Sequence, residues 1–171
     1  MSEDDLIQRI RSLDPNVRGD AWQSAGDAGP AVIEDLARLV VDEHLDVARA
    51  AKRALWRIVR RVGRPEADDQ KAAVVEKLTK VLSDDSAIPT RREVIWMLSA
   101  LAESGPPVQR VADFLRHDTL RDEARLALER IPGEESLAAL KSHLEKASED
   151  FKASLTASLR ARGVEVEGPL S

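Results

Sequence analysis

The sequence contains no cysteine and no tyrosine, and its aromatic residues are only two Phe and three Trp. Without cysteine there can be no disulfide, no thiolate metal site and no cysteine nucleophile, which is compatible with a reducing compartment. All-β domains depend on aromatic and β-branched residues to cover their pleated surfaces. The scarcity of aromatic residues therefore favours a helical fold.

Long apolar runs and a leader-like start are also missing. No apolar stretch approaches the ~20 residues that a membrane-spanning helix needs. The chain begins with Met1, Ser2, Glu3, Asp4 and Asp5, whereas secretory and transit peptides carry basic and apolar residues at that end. We expect a soluble cytoplasmic protein that makes no membrane contact.

Basic residues are not in excess. The 171 residues include 26 Lys and Arg and 31 Asp and Glu, which gives a formal net charge of −5. Because the two signs are interspersed, the composition argues against a general polyanion binder but leaves room for a local basic patch. With 43% hydrophobic and 33% charged residues, the chain should fold as one globular domain or one short repeat array.

What is present is a helical periodicity. Gly and Pro punctuate the chain at short intervals, as at Gly29 and Pro30, where Gly suits a helix end and Pro a helix start. Between such marks apolar residues recur every three or four positions, as at Val74, Leu78 and Val81, and no stretch alternates at period two. This spacing predicts about ten helices and no sheet.

The second helix of each predicted pair repeats one apolar pattern, counted from a position zero. Position zero is occupied by Val17, Val47, Thr90, Leu120 and Phe151. Position four is occupied by Ala21, Ala51, Val94, Ala124 and Leu155. Position seven holds Ser24, Ala54, Met97, Ala127 and Ser158, and position eight holds Ala25, Leu55, Leu98, Leu128 and Leu159. Successive zeros lie 30, 43, 30 and 31 residues apart. A fixed period of roughly 20–50 residues is typical of stacked repeats, because one helix pair cannot bury its apolar face alone. We predict an all-α solenoid of about five antiparallel helix pairs.

Position one is basic in four repeats, with Arg18, Arg91, Arg121 and Lys152, and is Ala48 in the second repeat. A short acidic or Pro-containing turn precedes it. The resulting string Asp-x-x-Val-Arg-x-x-Ala-x-x-Ala-Leu resembles the second helix of HEAT repeats, particularly the short bacterial type named after phycobilisome lyases. The resemblance covers about residues 3–162.

The resemblance implies a right-handed superhelix with the first helices on its convex side and the second helices on its concave side. It implies no single activity, since such repeats mostly serve as interaction scaffolds. Some relatives attach bilins or excise alkylated bases, but no residues of this chain match those activities. We predict one HEAT-like domain over residues 1–163 and a frayed tail over 164–171.

Catalytic and metal-binding patterns are not found. His44, His117 and His143 form no i, i+4 pair with one another or with a cluster of carboxylates. The sequence also contains no Gly-rich phosphate loop, nucleophile elbow or calcium loop. We predict no metal site, no cofactor and no enzymatic activity.

One basic segment stands out in this acidic chain. Residues 47–64 carry no acidic residue and contain Arg49, Lys52, Arg53, Arg57, Arg60, Arg61 and Arg64. A helix turns by roughly 100° per residue, so positions two, six, nine and thirteen should point away from the core. In the second repeat these are Arg49, Arg53, Trp56 and Arg60, and in the third they are Arg92, Trp96, Ser99 and Glu103.

Arg and Trp on one exposed stripe are typical of binding hot spots. We therefore predict a partner-binding face formed by Arg49, Arg53, Trp56, Arg60, Arg92 and Trp96. The alternative is that a Trp fills the wedge between stacked repeats and that the arginines pair with acids such as Glu34, Asp35 and Glu93. Trp22, at position five, is expected to be a packing residue.

The irregular spacing of 43 residues between the second and third repeats coincides with the same basic segment. The additional residues fall in 60–69, so the second helix of repeat two should be longer than its counterparts, and insertions in solenoids often lie on functional edges. A longer helix followed by a polar loop would explain the spacing equally well.

The predicted function is a non-enzymatic protein–protein interaction scaffold or adaptor that binds an acidic or amphipathic partner segment. An alternative is a nucleic-acid-binding module, in which phosphates meet the arginines and a base stacks on Trp56 or Trp96. A lyase-like or base-excision relative is less favoured. The sequence identifies neither the partner nor the oligomeric state.

Overall fold

The computed structural model describes residues 2–65, 68–83 and 85–167. Within those ranges the chain forms ten α-helices and no strand, which confirms the predicted all-α fold. The chain divides into an N-terminal unit, Met1–Leu101, and a C-terminal unit, Ala102–Ser171. The first unit contains three helix pairs and the second unit contains two.

The N-terminal unit begins with α1 (Glu3–Ile10) and α2 (Pro15–Ser24), followed by a 3-10 turn (Ala25–Asp27). Its other helices are α3 (Ile33–Leu39), α4 (Leu45–Val62), α5 (Asp68–Ser83) and α6 (Ile88–Leu101). Helix α2 starts where the sequence indicates, because the Asp14 carboxylate accepts from the Asn16 N–H at 2.8 Å and Pro15 occupies the first turn.

The helices of the N-terminal unit stack in a solenoid-like order. Each helix packs against the partner of its own pair, and the second helices lie side by side, with α2 against α4 and α4 against α6. Helix α4 has 18 residues, more than α2 with 10 or α6 with 14. The predicted lengthening of this helix is confirmed, and residues 66 and 67 of the predicted insertion lie outside the described residues.

The C-terminal unit consists of α7 (Pro106–Asp113), a 3-10 turn (Phe114–Arg116), α8 (Arg121–Arg130), α9 (Glu134–Leu144) and α10 (Glu149–Ala161). Helix α7 packs against α8, and α9 packs against α10. Of the predicted tail, residues 164–167 are described and 168–171 are not. The Val164 N–H donates to the Leu159 carbonyl at 3.0 Å, and the Arg160 guanidinium donates to the Val166 carbonyl at 3.2 Å.

The predicted repeat register is confirmed in both units. All five residues at position four and all five at position eight are buried. Two positions depart from the pattern, both in the first repeat. Val17 is half-buried and Ser24 is exposed. The Ser24 hydroxyl donates back to the carbonyls of Asp20 and Ala21 at 2.9 and 3.2 Å in the last turn of α2.

The same register explains a pair of ionic contacts between successive repeats. Arg18 at position one reaches Asp46, just before the next position zero, at 3.6 Å. Arg121 and Asp150 occupy the equivalent positions in the C-terminal unit and approach to 2.6 Å. In these two places the basic residue at position one joins neighbouring repeats. Between the second and third repeats this contact cannot form, since the two positions hold Ala48 and Pro89.

Candidate partner-binding face

Four arginines of α4 form a stripe on the outer side of the second helices of the N-terminal unit. Arg49, Arg53, Arg57 and Arg60 follow one another at spacings of four, four and three residues, and all are exposed. At roughly 100° per residue they lie within an arc of about 80°. We call these four residues the arginine stripe. It includes Arg57, which the choice of positions two, six, nine and thirteen did not select.

Trp22 of α2 lies along one side of the arginine stripe. The guanidinium carbons of Arg53 and Arg57 lie 5.2 and 5.4 Å from the centroid of its ring. Both distances are within the range of a cation–π interaction. Trp22 is half-buried, so its ring packs between helices and also supports two exposed arginines. The expectation that Trp22 only packs was incomplete.

A groove of about 300 Å³ lies between α2 and α4 beside this ring. Its lining includes Gly19, Trp22, Arg49, Ala50 and Arg53. A Cβ atom built on Gly19 would meet no atom within 4 Å. The groove is therefore open above two small residues. Its border holds an indole ring, the guanidinium groups of Arg18, Arg49 and Arg53, and the Asp46 carboxylate, which lies 3.6 Å from Arg18 and 3.5 Å from Arg49.

Trp56 lies on the other side of the stripe and joins α4 to α6. Its indole N–H donates to Oε2 of Glu93 at 3.0 Å, and Oε1 of the same carboxylate lies 3.3 Å from Nζ of Lys52. The guanidinium carbon of Arg60 lies 6.0 Å from the ring centroid. Trp56 is half-buried. It thus fills the wedge between two repeats, as one interpretation of the sequence expected, while its ring remains partly on the outer face.

The α6 members of the predicted face, Arg92 and Trp96, are half-buried. Both take part in further interactions within the protein, so they contribute less open surface than the α4 arginines. The expectation that Ser99 points outward is wrong, because it is only 6% exposed and its hydroxyl donates to the Trp96 carbonyl at 2.7 Å. A small side chain can fold back onto the preceding turn in this way.

The arginines of the stripe do not pair with the acids that the alternative interpretation named. Glu34 accepts from Lys77 and Lys80 at 2.7 and 2.8 Å, and these bonds lower its pKa to about 2. Asp35 pairs with Arg38 at 2.6 Å, whereas Glu93 is shared by Trp56 and Lys52. Arg49 pairs with Asp46 at 3.5 Å. Among the described residues, no carboxylate pairs with Arg53, Arg57 or Arg60.

The second helices of the C-terminal unit provide an internal comparison. Arg121 approaches Asp150 to 2.6 Å, and Arg125 lies 3.3 Å from Asp122 and 3.8 Å from Glu129. These arginines occupy positions one and five of their repeat, beside the positions of the arginine stripe, and both are paired with carboxylates. Uncompensated positive charge distinguishes the face of the N-terminal unit.

The histidines take structural positions. His44 precedes α4 and is exposed, and Nδ1 of His117 accepts from the Thr119 N–H at 3.3 Å. The ring of His143 packs edge-on to Phe151 at 5.9 Å, and burial lowers its pKa.

In the described part of the chain, no three His, Cys, Asp or Glu side chains are grouped so that they could hold a metal ion. None of its described helices has the length and apolarity required to cross a membrane.

Stacked helix pairs in each unit place the protein among all-α repeat folds. No family model and no curated protein matches the chain. An engineered protein of known crystal structure is 18% identical, with a TM-score of 0.50 over 93% of this chain and 79% of the other. A second engineered protein is 19% identical, with a TM-score of 0.48 over 92% and 77%. A designed armadillo repeat protein, solved in complex with the peptide (KR)4, is 17% identical, with a TM-score of 0.48 over 91% and 80%.

Proposed function

We propose that this protein is a non-enzymatic interaction module that binds an acidic or amphipathic segment of a partner protein on the second-helix face of its N-terminal unit. The observation that carries the proposal is the arrangement of Arg53, Arg57 and Arg60. These exposed arginines lie over Trp22 and Trp56 and have no carboxylate partner among the described residues.

The chemistry of this face suits an acidic protein segment. Guanidinium groups recognise carboxylates through charge-assisted, often bidentate hydrogen bonds. The half-buried rings of Trp22 and Trp56 offer apolar area that could cover the aliphatic part of a partner, and Arg and Trp are enriched at hot spots of interfaces. Charge complementarity would also speed the encounter with an acidic partner.

The proposal also includes the repeat family, the cellular location and the individual residues of the binding face. We infer that the helix pairs are HEAT-like repeats, supported by the string that the second and fourth repeats match best, as from Asp118 through Leu128, and by its counterparts in the other repeats. We also propose a cytoplasmic location for the protein. On this interpretation Arg49, Arg53, Trp56, Arg60, Arg92 and Trp96, together with Arg57 and Trp22, form the binding face.

The proposal can be tested by fluorescence anisotropy with a short labelled peptide rich in Glu and Leu. The triple variant Arg53→Gln, Arg57→Gln, Arg60→Gln should bind at least about tenfold more weakly than the natural protein, because it loses the charges that have no internal partner. The matched control is Arg38→Gln. Arg38 is exposed and pairs with Asp35, and its removal should leave binding unchanged. Equal affinity of the triple variant and the control would contradict the proposal.

Nucleic acid is the competing ligand for such a face, so labelled single-stranded and double-stranded oligonucleotides form a second arm of the experiment. Binding to nucleic acid falls steeply with salt, in proportion to the number of phosphates neutralised. Weak oligonucleotide binding would agree with the net charge of −5. Oligonucleotide affinity above that of the acidic peptide, with a steep salt dependence and loss in the triple variant, would replace the proposed partner by a nucleic acid.

A further inference from the structure

The spacing of the arginine stripe suggests the conformation of the segment that it binds. Arg53, Arg57 and Arg60 are separated by four and three residues within α4. With a rise of 1.5 Å per residue, their positions span about 10.5 Å along the helix axis, in steps of about 6 and 4.5 Å. Positive charges therefore follow a helical period on the surface.

A helix lying alongside α4 reproduces these steps. Its carboxylates at i, i+4 and i+7, or at i, i+3 and i+7 if it runs the other way, lie on one face with the same rises. An extended strand presents same-face side chains every ~6.8 Å, so two steps cover about 13.6 Å and overshoot the third arginine by about 3 Å. A polyproline helix presents side chains on one face only every ~9.3 Å. Such a segment would therefore have no side chain opposite Arg57.

The surroundings of the stripe also accommodate a helix. The groove of about 300 Å³ between α2 and α4 is open above Gly19, and Ala50 adds only a methyl group to its lining. The carboxylate in that lining, Asp46, is paired with Arg18 and Arg49. Trp22 lies on one side of the stripe and Trp56 on the other. Amphipathic helices bind such grooves through side chains at helical spacing.

From this geometry we propose that the partner segment is an acidic amphipathic helix. It lies along α4 with carboxylates at i, i+4 and i+7, or the reverse spacing, opposite Arg53, Arg57 and Arg60, and with apolar side chains against the two indole rings. This inference rests on the proposed function, since both require an acidic protein segment at the same face, but it adds the partner's conformation and charge spacing.

Three labelled peptides of similar composition separate the possibilities. The first has Glu at i, i+4, i+7 and i+11 on one face of an Ala- and Leu-rich helix. The second contains the same residues rearranged so that the Glu side chains surround the helix. The third keeps the first order but has two central Ala replaced by Pro, which prevents a continuous helix. Dissociation constants would be measured by anisotropy, and the helicity of the bound peptides by circular dichroism difference spectra.

The first peptide should bind at least about tenfold more tightly than either of the others and should gain helicity on binding. Arg57→Gln should remove most of that preference, because it takes away the middle charge of the helical spacing, whereas the control Arg38→Gln should retain it. Both replaced arginines are exposed, and unfolding curves of the variants would verify that they fold.

Two results would overturn the inference in different ways. If the Pro-containing peptide binds as tightly as the first, the helical conformation is wrong although acidic recognition stands. If none of the peptides binds, or if an oligonucleotide binds more tightly than all of them, both the inference and the proposed function are wrong.

Discussion

The indole N–H of Trp56 donates to the Glu93 carboxylate at 3.0 Å, from the second repeat to the third. This is the junction at which the repeat spacing increases to 43 residues. It is also where Ala48 and Pro89 replace the ionic pair seen as Arg18–Asp46 and Arg121–Asp150. A side-chain hydrogen bond to a charged group thus joins the two repeats at a junction that lacks this ionic pair.

Loss of that hydrogen bond should weaken the N-terminal unit. We expect Trp56→Phe to lower the free energy of unfolding by about 1–2 kcal/mol, since a hydrogen bond to a charged group is worth somewhat more than a neutral one. Urea unfolding followed by circular dichroism would measure the change. Trp22→Phe is the matched control, because the Trp22 indole N–H has no acceptor among the described residues, and its effect should stay near about 0.5 kcal/mol. Equal losses in the two variants would show that the bond to Glu93 contributes nothing.

The repeat architecture was predictable because apolar periodicity reports burial directly. Small and medium apolar residues at positions four and eight, such as Ala21 and Leu55, indicated the buried side of every second helix, and all of these positions are buried. The helix ends were also readable, since Asp14 and Pro15 give local start signals that do not depend on tertiary contacts.

The partners of individual side chains were less predictable. The sequence leaves open whether Trp56 lies on the outer face or packs between repeats, because its bond to Glu93 depends on how α4 and α6 pack. The roles of Trp22 and Arg57 arise from the approach of α2 to α4, which no local pattern encodes. The run of cations without acids in residues 47–64 was the available signal, and it indicated the region without assigning the contacts.

Arg162 provides the next prediction, in the C-terminal unit. Its guanidinium donates to the carbonyls of Leu128, Ile131 and Gly133 at 3.0, 2.9 and 2.9 Å, and to the Ser136 hydroxyl at 3.1 Å. The three carbonyls lie at the end of α8 and in the turn before α9, where helix carbonyls lack intrahelical partners, and Ser136 lies in the first turn of α9. Arg162→Ala should reduce the free energy of unfolding by about 2–3 kcal/mol, because it removes several part-buried hydrogen bonds from a charged donor.

Thermal and urea unfolding of Arg162→Ala would be compared with those of Arg160→Ala. Arg160 is exposed and donates to the Val166 carbonyl at 3.2 Å, so its loss should change stability by no more than about 0.5 kcal/mol. Arg162→Lys should recover only part of the loss, since an ammonium group cannot reproduce the planar fork of donors. If Arg162→Ala were as stable as the control, the hydrogen bonds of Arg162 would make no net contribution to the free energy of unfolding.

Two glycines should respond to alanine with opposite signs. Gly19 lies inside α2 with free space around a built Cβ, so Gly19→Ala should stabilise the protein by about 0.5–1 kcal/mol through helix propensity and reduced unfolded-state entropy. Gly29 has a φ of +75°, a conformation that costs an L-residue about 1–2 kcal/mol. Gly29→Ala should therefore destabilise by about that amount. If the unfolding midpoints of both variants were higher, or both lower, than that of the natural protein, this assignment would be contradicted.

Acid should remove one specific contribution to the stability of the N-terminal unit. Hydrogen bonds from Lys77 and Lys80 hold the pKa of Glu34 at about 2, below its ordinary value of 4.5. A carboxyl whose pKa is lower in the folded state stabilises the protein fully above the unfolded value, and this contribution is lost as the pH falls toward the folded value. Glu34→Gln should therefore be less stable than the natural protein at neutral pH, and the difference should shrink between pH 4.5 and about 2.

Urea unfolding at a series of pH values would measure this difference in stability. The double variant Lys77→Gln, Lys80→Gln should lose the same acid dependence, because the donors that lower the pKa are gone. A stability difference that stays constant through this pH range would show that Glu34 does not bind the two lysines in solution.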